Sequence, residues 1–407
     1  MQTIMKNLTF DKYFNYLIVA YAFVLPITIA GIVLFEHLII FSFLIGYFKG
    51  KISVDFSELK NSKTIVVLGL FLLLSLVSVI WSDDKTFALL YLTKYYHFLL
   101  IPIIYLTLNT KYIKPVFTGF LLGMLLSEIF SYLIFFEIIQ YNNIPANDPS
   151  PFMNHIDYSV YLSFTSMILL NRIFFTEENK YKLFYFLYFL TTTSNLFLNG
   201  GRTGQIIFIV SIFVILYLNF HNKVKGGLIA TFLIIGIIST AYTVSPVFKQ
   251  RGELAYNDIT NTFSKDDYSQ SFGIRVSLWI MGVNVFKDNL LLGTGIGDEK
   301  TGMQKYAHKY NVTLYKNIPD KGDIDYHSMY IQHAVQLGIL GLILIIYLVY
   351  SLYKINIKSN LYRNLSIAFA TSILISAIVG NTLHSIFPMT YFVFFTSILS
   401  AISRNEN

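Results

Sequence analysis

Apolar residues in this chain fall in runs of about 17–25, parted mostly by short polar turns. An α-helix of that length crosses a hydrocarbon core roughly 30 Å thick, and it satisfies its own backbone polar groups where no water can. The runs lie near residues 13–31, 32–48, 64–82, 87–107, 116–138, 156–174, 183–199, 203–220, 227–245, 327–352, 364–380 and 386–402. The expected fold class is therefore all-α: a polytopic membrane protein of about twelve transmembrane helices, forming one integral membrane domain over residues 1–407. Composition agrees, since 55% hydrophobic and 13% charged residues leave too little polar surface for a soluble domain. The tyrosines gather near span ends, where an amphipathic ring suits the headgroup level; they read as anchors and not as a cofactor box. The first span has no small-residue cleavage site behind it and leads straight into the second, so it reads as an anchor and not as a removed signal peptide.

Charge sets the orientation. With a cytoplasmic N-terminus, the inner turns hold Lys49, Lys51, Lys60, Lys63, Lys111, Lys114, Arg172, Lys180, Lys182, Lys223, Lys225, Lys354, Lys358 and Arg363. The short outer turns hold only Lys85 and Arg202. Short loops rich in Lys and Arg stay on the cytoplasmic side, so both termini are expected there and the one long polar segment, residues 246–326, faces outward. Between Ser245 and Tyr326 ten basic residues balance ten acidic ones. The net charge of +7 therefore does not mark this segment as a nucleic-acid surface. The absence of cysteine excludes disulfides and thiolate metal sites.

Three outer stretches carry candidate chemistry. Tyr141–Ser159, reading YNNIPANDPSPFMNHIDYS, has three prolines and should be irregular: either a turn-rich connector or a contributor to a polar substrate site, with His155 read as a loop histidine. Asn199–Gly204, NGGRTG, is a tight turn whose glycines permit close approach. Arg202 on it reads as a snorkelling side chain or as an anion site. Within the long segment, Gly273–Lys287 has Ile274, Leu278, Met281 and Val285 spaced like one helix face and carries Arg275 in its first turn. It ends at Asp288–Gly297, DNLLLGTGIG; lacking the lysine and Ser/Thr of a P-loop, this stretch reads as a plain turn in preference to a phosphate cradle.

After the acidic stretch Asp320–Asp325, His327 opens the next span. A histidine at a helix start is disfavoured as imidazolium, which leaves it neutral at pH 7, the form a general base needs. A polar capping role fits equally well. His333 lies six residues on, on another helix face, and no HExxH or acidic metal cluster occurs, so neither a metal site nor a cofactor is expected.

The order GGRTG, then GIRVSLWIMGVNVFKDNLLLGTGIG, then HSMYIQHAVQLGILGL resembles the O-antigen ligase and O-antigen polymerase superfamily of bacterial inner membranes, closely over roughly residues 150–350. The NHIDYS segment resembles the ligase branch. The resemblance implies a metal-independent, inverting glycosyltransferase acting on the periplasmic face, with undecaprenyl-pyrophosphate-linked glycan as donor and the lipid A-core oligosaccharide as acceptor. In the polymerases the acceptor is another lipid-linked repeat unit. By the same resemblance, Arg202 and Arg275 match arginines that hold the donor pyrophosphate, and His327 matches the histidine that activates the acceptor hydroxyl. Arg251 is a third clamp candidate without a firm match. The physics is consistent: a guanidinium pair can neutralise a polyanionic leaving group.

The rival class is a transporter of lipid-linked oligosaccharide or of a small anion. Against it, Lys94, His97, Glu128 and Glu137 are scattered and form no evident relay. A scaffold that gathers other glycan enzymes is the third reading, and it would not need the arginines and His327 outside. The expected partners are thus the lipid-linked donor, its acceptor and membrane lipid, with no nucleic acid.

Overall fold

The computed structural model describes residues 2–309 and 324–406, and these are helical with no strand among them. The predicted acidic stretch therefore has residues 320–323 outside the described residues, as is 310–323 of the long polar segment. The helices are α1 (Gln2–Val24), α2 (Ile29–Phe48), α3 (Lys63–Ser78), α4 (Lys85–Thr93), α5 (Leu100–Thr107), α6 (Thr110–Phe135), α7 (His155–Phe175) and α8 (Asn179–Leu198). Then follow α9 (Arg202–Asn219), α10 (Lys223–Val244), α11 (Pro246–Lys265), α12 (Ser271–Asp288), α13 (Met303–Lys309), α14 (Met329–Tyr353), α15 (Asn360–Val379) and α16 (Ile386–Glu406). A tighter 3₁₀ stretch, Lys94–Leu99, joins α4 to α5.

A helix, or in one case this joined pair, stands at each of the twelve places expected from the apolar runs. Among the described residues, eight helices are long and apolar enough to cross a membrane, and α3 is a shorter apolar helix. The chain is a multi-pass membrane protein. Within it, 83% of the apolar stretch of α16 is buried against 11% for α10, so the C-terminal helix forms the axis of the bundle and α10 lies at its lipid-facing edge.

Polar side chains knit the helices where hydrocarbon would leave them unpaired. The buried Glu36 carboxylate of α2 accepts from Tyr21 at 2.8 Å and Tyr96 at 3.0 Å, and His97 lies 2.7 Å from it. That cluster absorbs His97. Glu128 accepts from Thr192 at 2.6 Å, the Lys94 ammonium sits over the Tyr91 ring, and Glu137 lies beyond the end of α6 with φ 57°. At the other end of the bundle, Asn171, Asn219 and Asn364 form a hydrogen-bonded row that ties α7, α9 and α15. Each such contact satisfies a group that would otherwise cost several kcal/mol in lipid, roughly 2–7 by transfer measurements.

The long polar segment holds more structure than its composition indicates. It contains α11, which no apolar run announces, followed by α12 and α13. Leu278, Met281 and Val285 of α12 are buried as their spacing predicts, and with Ile274 they pack into a small second core with Met303, Tyr306, Tyr326 and Val335. This core seats α12 on the first turns of α14 and brings Arg275 to the end of the bundle where α7, α9 and α14 begin.

Candidate active site

The glycines of the NGGRTG turn serve close approach. A Cβ at Gly201 would meet the His155 carbonyl and the Ser159 side chain, and one at Gly204 would meet the Ser159 backbone. The starts of α7 and α9 therefore touch through backbone, with the Gly204 N–H donating to Ser159 Oγ at 3.0 Å. Asn199 steadies the turn: its Oδ1 accepts from the Gly201 N–H at 2.7 Å, and its amide donates to Ser150 at 2.6 Å. Arg202 is the first residue of α9 and is half-buried at this junction.

The segment before α7 supplies an unforeseen hub. Asp148 accepts from the Gly200 N–H at 2.9 Å, lies 3.1 Å from His155 Nδ1, and lies 3.5 Å from Arg251 Nη2. Burial pushes its carboxyl up, but the His155 hydrogen bond, the Gly200 N–H and the charges of His155 and Arg251 together hold it below the usual carboxylate range. Arg251 is thereby fixed beside the arginine turn. His155 is a partner of this carboxylate and not a free loop histidine.

Arg275 stands in the second turn of α12, not the first, because the helix begins at Ser271. The buried Asp258 of α11 accepts from the Phe272 N–H at 2.7 Å and the Gly273 N–H at 3.3 Å, which caps α12 from its neighbour. Burial lowers the Arg275 pKa, and Asp325 and Asp258 oppose it. Guanidinium still stays charged in a protein.

His327 lies two residues before α14, with Ser328 at the N-cap position, so it does not itself cap the helix. Its backbone is left-handed, φ 50°, which is uncommon for a residue with a Cβ. Neighbouring contacts over-determine that conformation. The buried Tyr326 donates its N–H to Gln332 at 3.0 Å and its hydroxyl to the Glu299 carbonyl at 2.6 Å. The His327 N–H donates to Asp325 Oδ1 at 2.7 Å, and Trp279 Nε1 donates to the His327 carbonyl at 3.4 Å. Burial lowers the His327 pKa, Arg275 and His384 push the same way, and Asp325 opposes them. The imidazole is accordingly neutral near pH 7, with Nδ1 3.6 Å from Asp325 Oδ2.

Below this point α14 is broken at Gly338, φ 67°. The 288–297 stretch fills the break. Thr294 and Gly295 donate N–H groups to the Val335 and Gln336 carbonyls at 2.8 and 3.0 Å, and Ile339 donates to the Leu290 carbonyl at 2.9 Å. Gly293, Gly295 and Gly297 have φ of 72°, 97° and 85°, and a Cβ on Gly293 would strike the Gln336 backbone. These glycines thus serve contact with α14 and the α3–α4 turn, where Ser82 donates to the Ile296 carbonyl at 2.8 Å.

Arg275, Asp325 and His327 line one cavity of about 210 Å³, together with Thr203 next to Arg202 and with Asn154 and Asp157 at the start of α7. Arg202 sits within the electrostatic reach of Arg251, Asp258 and Arg275. The structure therefore brings together Arg202, Arg275 and His327, separated by more than a hundred residues, and adds Asp148, Arg251, Asp258 and Asp325 to their surroundings. The first turns of α7 and α9 contribute Ile156, Asp157 and Thr203 to this lining, and a helix start favours an anion. Among the described residues no group of three or more His, Asp or Glu is placed to hold a metal ion. Asp148 and Asp258 carried no sequence signal beyond lying in polar segments, since their partners are remote in the chain.

A family model described as O-antigen ligase matches residues 187–346, a segment that holds Arg202, Arg275 and His327. An uncharacterized protein of Haemophilus influenzae is 28% identical over 211 residues, covering 49% of this chain and 51% of that protein, so the match spans about half of the relative. Residues 187–346, less than half of the chain, are thus similar to the O-antigen ligase family.

Proposed function

We propose that this protein transfers a glycan from a lipid-linked pyrophosphate to an acceptor hydroxyl at the outer face of the bacterial inner membrane, with the lipid A-core oligosaccharide as acceptor. The observation that carries this reading is the cavity shared by a neutral imidazole, His327, and the guanidinium of Arg275, with Arg202 within electrostatic reach of that guanidinium. The acceptor oxygen bonds to the anomeric carbon as the bond from that carbon to the pyrophosphate oxygen breaks. The electron pair leaves with the pyrophosphate, where Arg202 and Arg275 meet the growing charge, and the hydroxyl proton passes to His327. Asp325 faces the ring and stabilises the imidazolium that results. Attack opposite the leaving group inverts the anomeric centre. Residues 246–326 serve as the periplasmic loop that supplies Arg275 and leads to His327, and both termini lie in the cytoplasm.

The broken helix α14 invites the transporter reading, because transporters bind substrates on interrupted helices. Here the Val335 and Gln336 carbonyls and the Ile339 N–H freed by the break are taken up by residues 290–295, which favours the enzyme. The decisive experiment incubates purified protein with lipid-linked glycan and each acceptor. Transfer to lipid A-core supports the ligase, and transfer only to a second lipid-linked unit makes the protein a polymerase. No transfer to either, with passage of the glycolipid across proteoliposomes, would overturn the reading.

A further inference from the structure

At the end of the bundle opposite His327 lies a second cavity, of about 630 Å³, between the start of α3 and the ends of α14 and α16. Helix α14 runs from Met329 to Tyr353, about 37 Å at 1.5 Å per residue, so roughly a hydrocarbon core separates the two cavities. The charged groups that line this second one are Lys63, Lys354 and Arg404 against a single carboxylate, Glu58, which leaves an excess of positive charge. Arg404 is held there by packing more than by its ion pair. Its side chain is 19% exposed, its guanidinium lies over the Tyr105 ring at 5.6 Å and donates to the Leu108 carbonyl at 3.1 Å, and Glu58 stays 3.9 Å away. Helix α3 opens at the cavity with Lys63 and Thr64, and a helix start favours an anion. The buried lining is hydroxylic. Ser351 donates to Thr64 at 3.0 Å, whereas the Ser400 hydroxyl, equally buried, has no hydrogen-bond partner among the described residues, a costly state unless a ligand or water meets it. Towards the lipid the surroundings turn apolar: Leu70 and Leu73 of α3 and Ile346 and Tyr350 of α14 are exposed, and the Lys354 ammonium lies 5.3 Å over the Tyr350 ring.

We propose that this cavity binds the phosphate headgroup of an acidic phospholipid. Arg404, Lys63 and Lys354 meet the phosphate, the Ser400 hydroxyl donates to it, and the acyl chains cover the exposed apolar sides of α3 and α14. A soluble phosphate offers the same oxygens but leaves those sides uncovered, so the lipid is the occupant that uses both halves of the surroundings. On the orientation expected from the charge bias this is the cytoplasmic leaflet, where acidic headgroups gather. The proposal stands apart from the transfer reading, because no residue of this lining lines the cavity of His327.

The test titrates the purified full chain, in a neutral detergent, with phosphatidylglycerol, phosphatidylcholine or inorganic phosphate and follows the melting temperature. Phosphatidylglycerol should raise it saturably, since a ligand that binds only the folded state stabilises by mass action. The half-saturating concentration should rise about tenfold or more when Lys63 and Lys354, both exposed and so tolerant of change, are replaced together by Gln. Lys225→Gln, an exposed lysine outside the cavity, should leave it within about twofold. An equal response to phosphatidylcholine, or no change in the double variant, would overturn the proposal, and saturation by inorganic phosphate at the same concentrations would replace the lipid with a soluble anion. A second measurement needs no variant. Phosphatidylglycerol should protect Lys63 and Lys354 of the unaltered protein from acetylation at least threefold more than it protects Lys225, and equal protection of all three would sink the site.

Discussion

His327 holds a backbone conformation that costs on the order of 1–3 kcal/mol, and its bonds to Asp325 and Trp279, with the Tyr326 N–H held by Gln332, keep it there. Strain kept in place at the edge of a cavity is consistent with a side chain that must point in one direction. His327→Ala should reduce transfer by roughly 100- to 10,000-fold while expression and donor binding persist; near-normal turnover in that variant would remove the base from the mechanism. The pH dependence follows from the sign of the shift. Burial holds the imidazole below its ordinary pKa of about 6.5, and only the neutral form accepts a proton, so kcat/KM should stay level down to about that pH and fall below it. Asp325 acts in the opposite sense, favouring the protonated ring. Asp325→Asn should therefore move the acid fall to lower pH, and a move to higher pH would contradict the assignment. For the clamp, lysine keeps charge but loses the two-pronged geometry, so Arg202→Lys and Arg275→Lys should each be poorly active, with wild-type activity unchanged in EDTA. Full activity of both lysine variants, or loss in EDTA restored by Mg²⁺, would refute the arginine clamp.

Two helix junctions place these side chains. At the start of α12, Asp258 satisfies two N–H groups that the helix cannot satisfy itself, and it does so from α11. Asp258→Ala should cost about 1 kcal/mol of stability and raise donor KM as Arg275 loses its seat, whereas Asp258→Asn should retain much of the cap. Thermal unfolding in detergent beside donor titration separates the two effects, and an unchanged KM in the alanine variant would detach the cap from the site. At the start of α9, contact with α7 leaves no room for a methyl group at Gly204. Gly204→Ala should destabilise by about 1–3 kcal/mol through overpacking, read as a lower melting temperature. The break in α14 has the same logic, since Gly338 lies against the Leu291 carbonyl and no side chain fits between them.

For the whole molecule the question is which side of the membrane the cavity faces. The Lys and Arg bias predicts that the 246–326 segment lies outside, so an alkaline phosphatase fusion at Asn261 should be active and one at Asn356 inactive. The reverse pattern would place His327 and the arginines in the cytoplasm, away from any periplasmic acceptor.

How much of this was legible in the sequence depends on the range of the force involved. Helix number and placement are local properties: an apolar run of twenty residues has one way to satisfy its backbone in lipid, and each expected run is a helix. The apolar face of α12 was equally readable, because Leu278, Met281 and Val285 recur at helical spacing. Arg202, Arg275 and His327 stood out as polar groups in a chain with few, and their family pattern named roles for them. The sequence could not disclose α11, because a helix that is polar over most of its surface has no run to announce it. Nor could it disclose the Asp148 hub, whose partners Gly200 and Arg251 lie 52 and 103 residues away. The NGGRTG and GTGIG glycines read as turns, but what they admit is a neighbouring backbone, which only packing reveals. The sequence by itself determined a helical membrane protein with one long polar segment and three candidate residues. Tertiary structure alone decided that those residues meet, because their meeting depends on hydrogen bonds and close contacts between segments that share no local pattern.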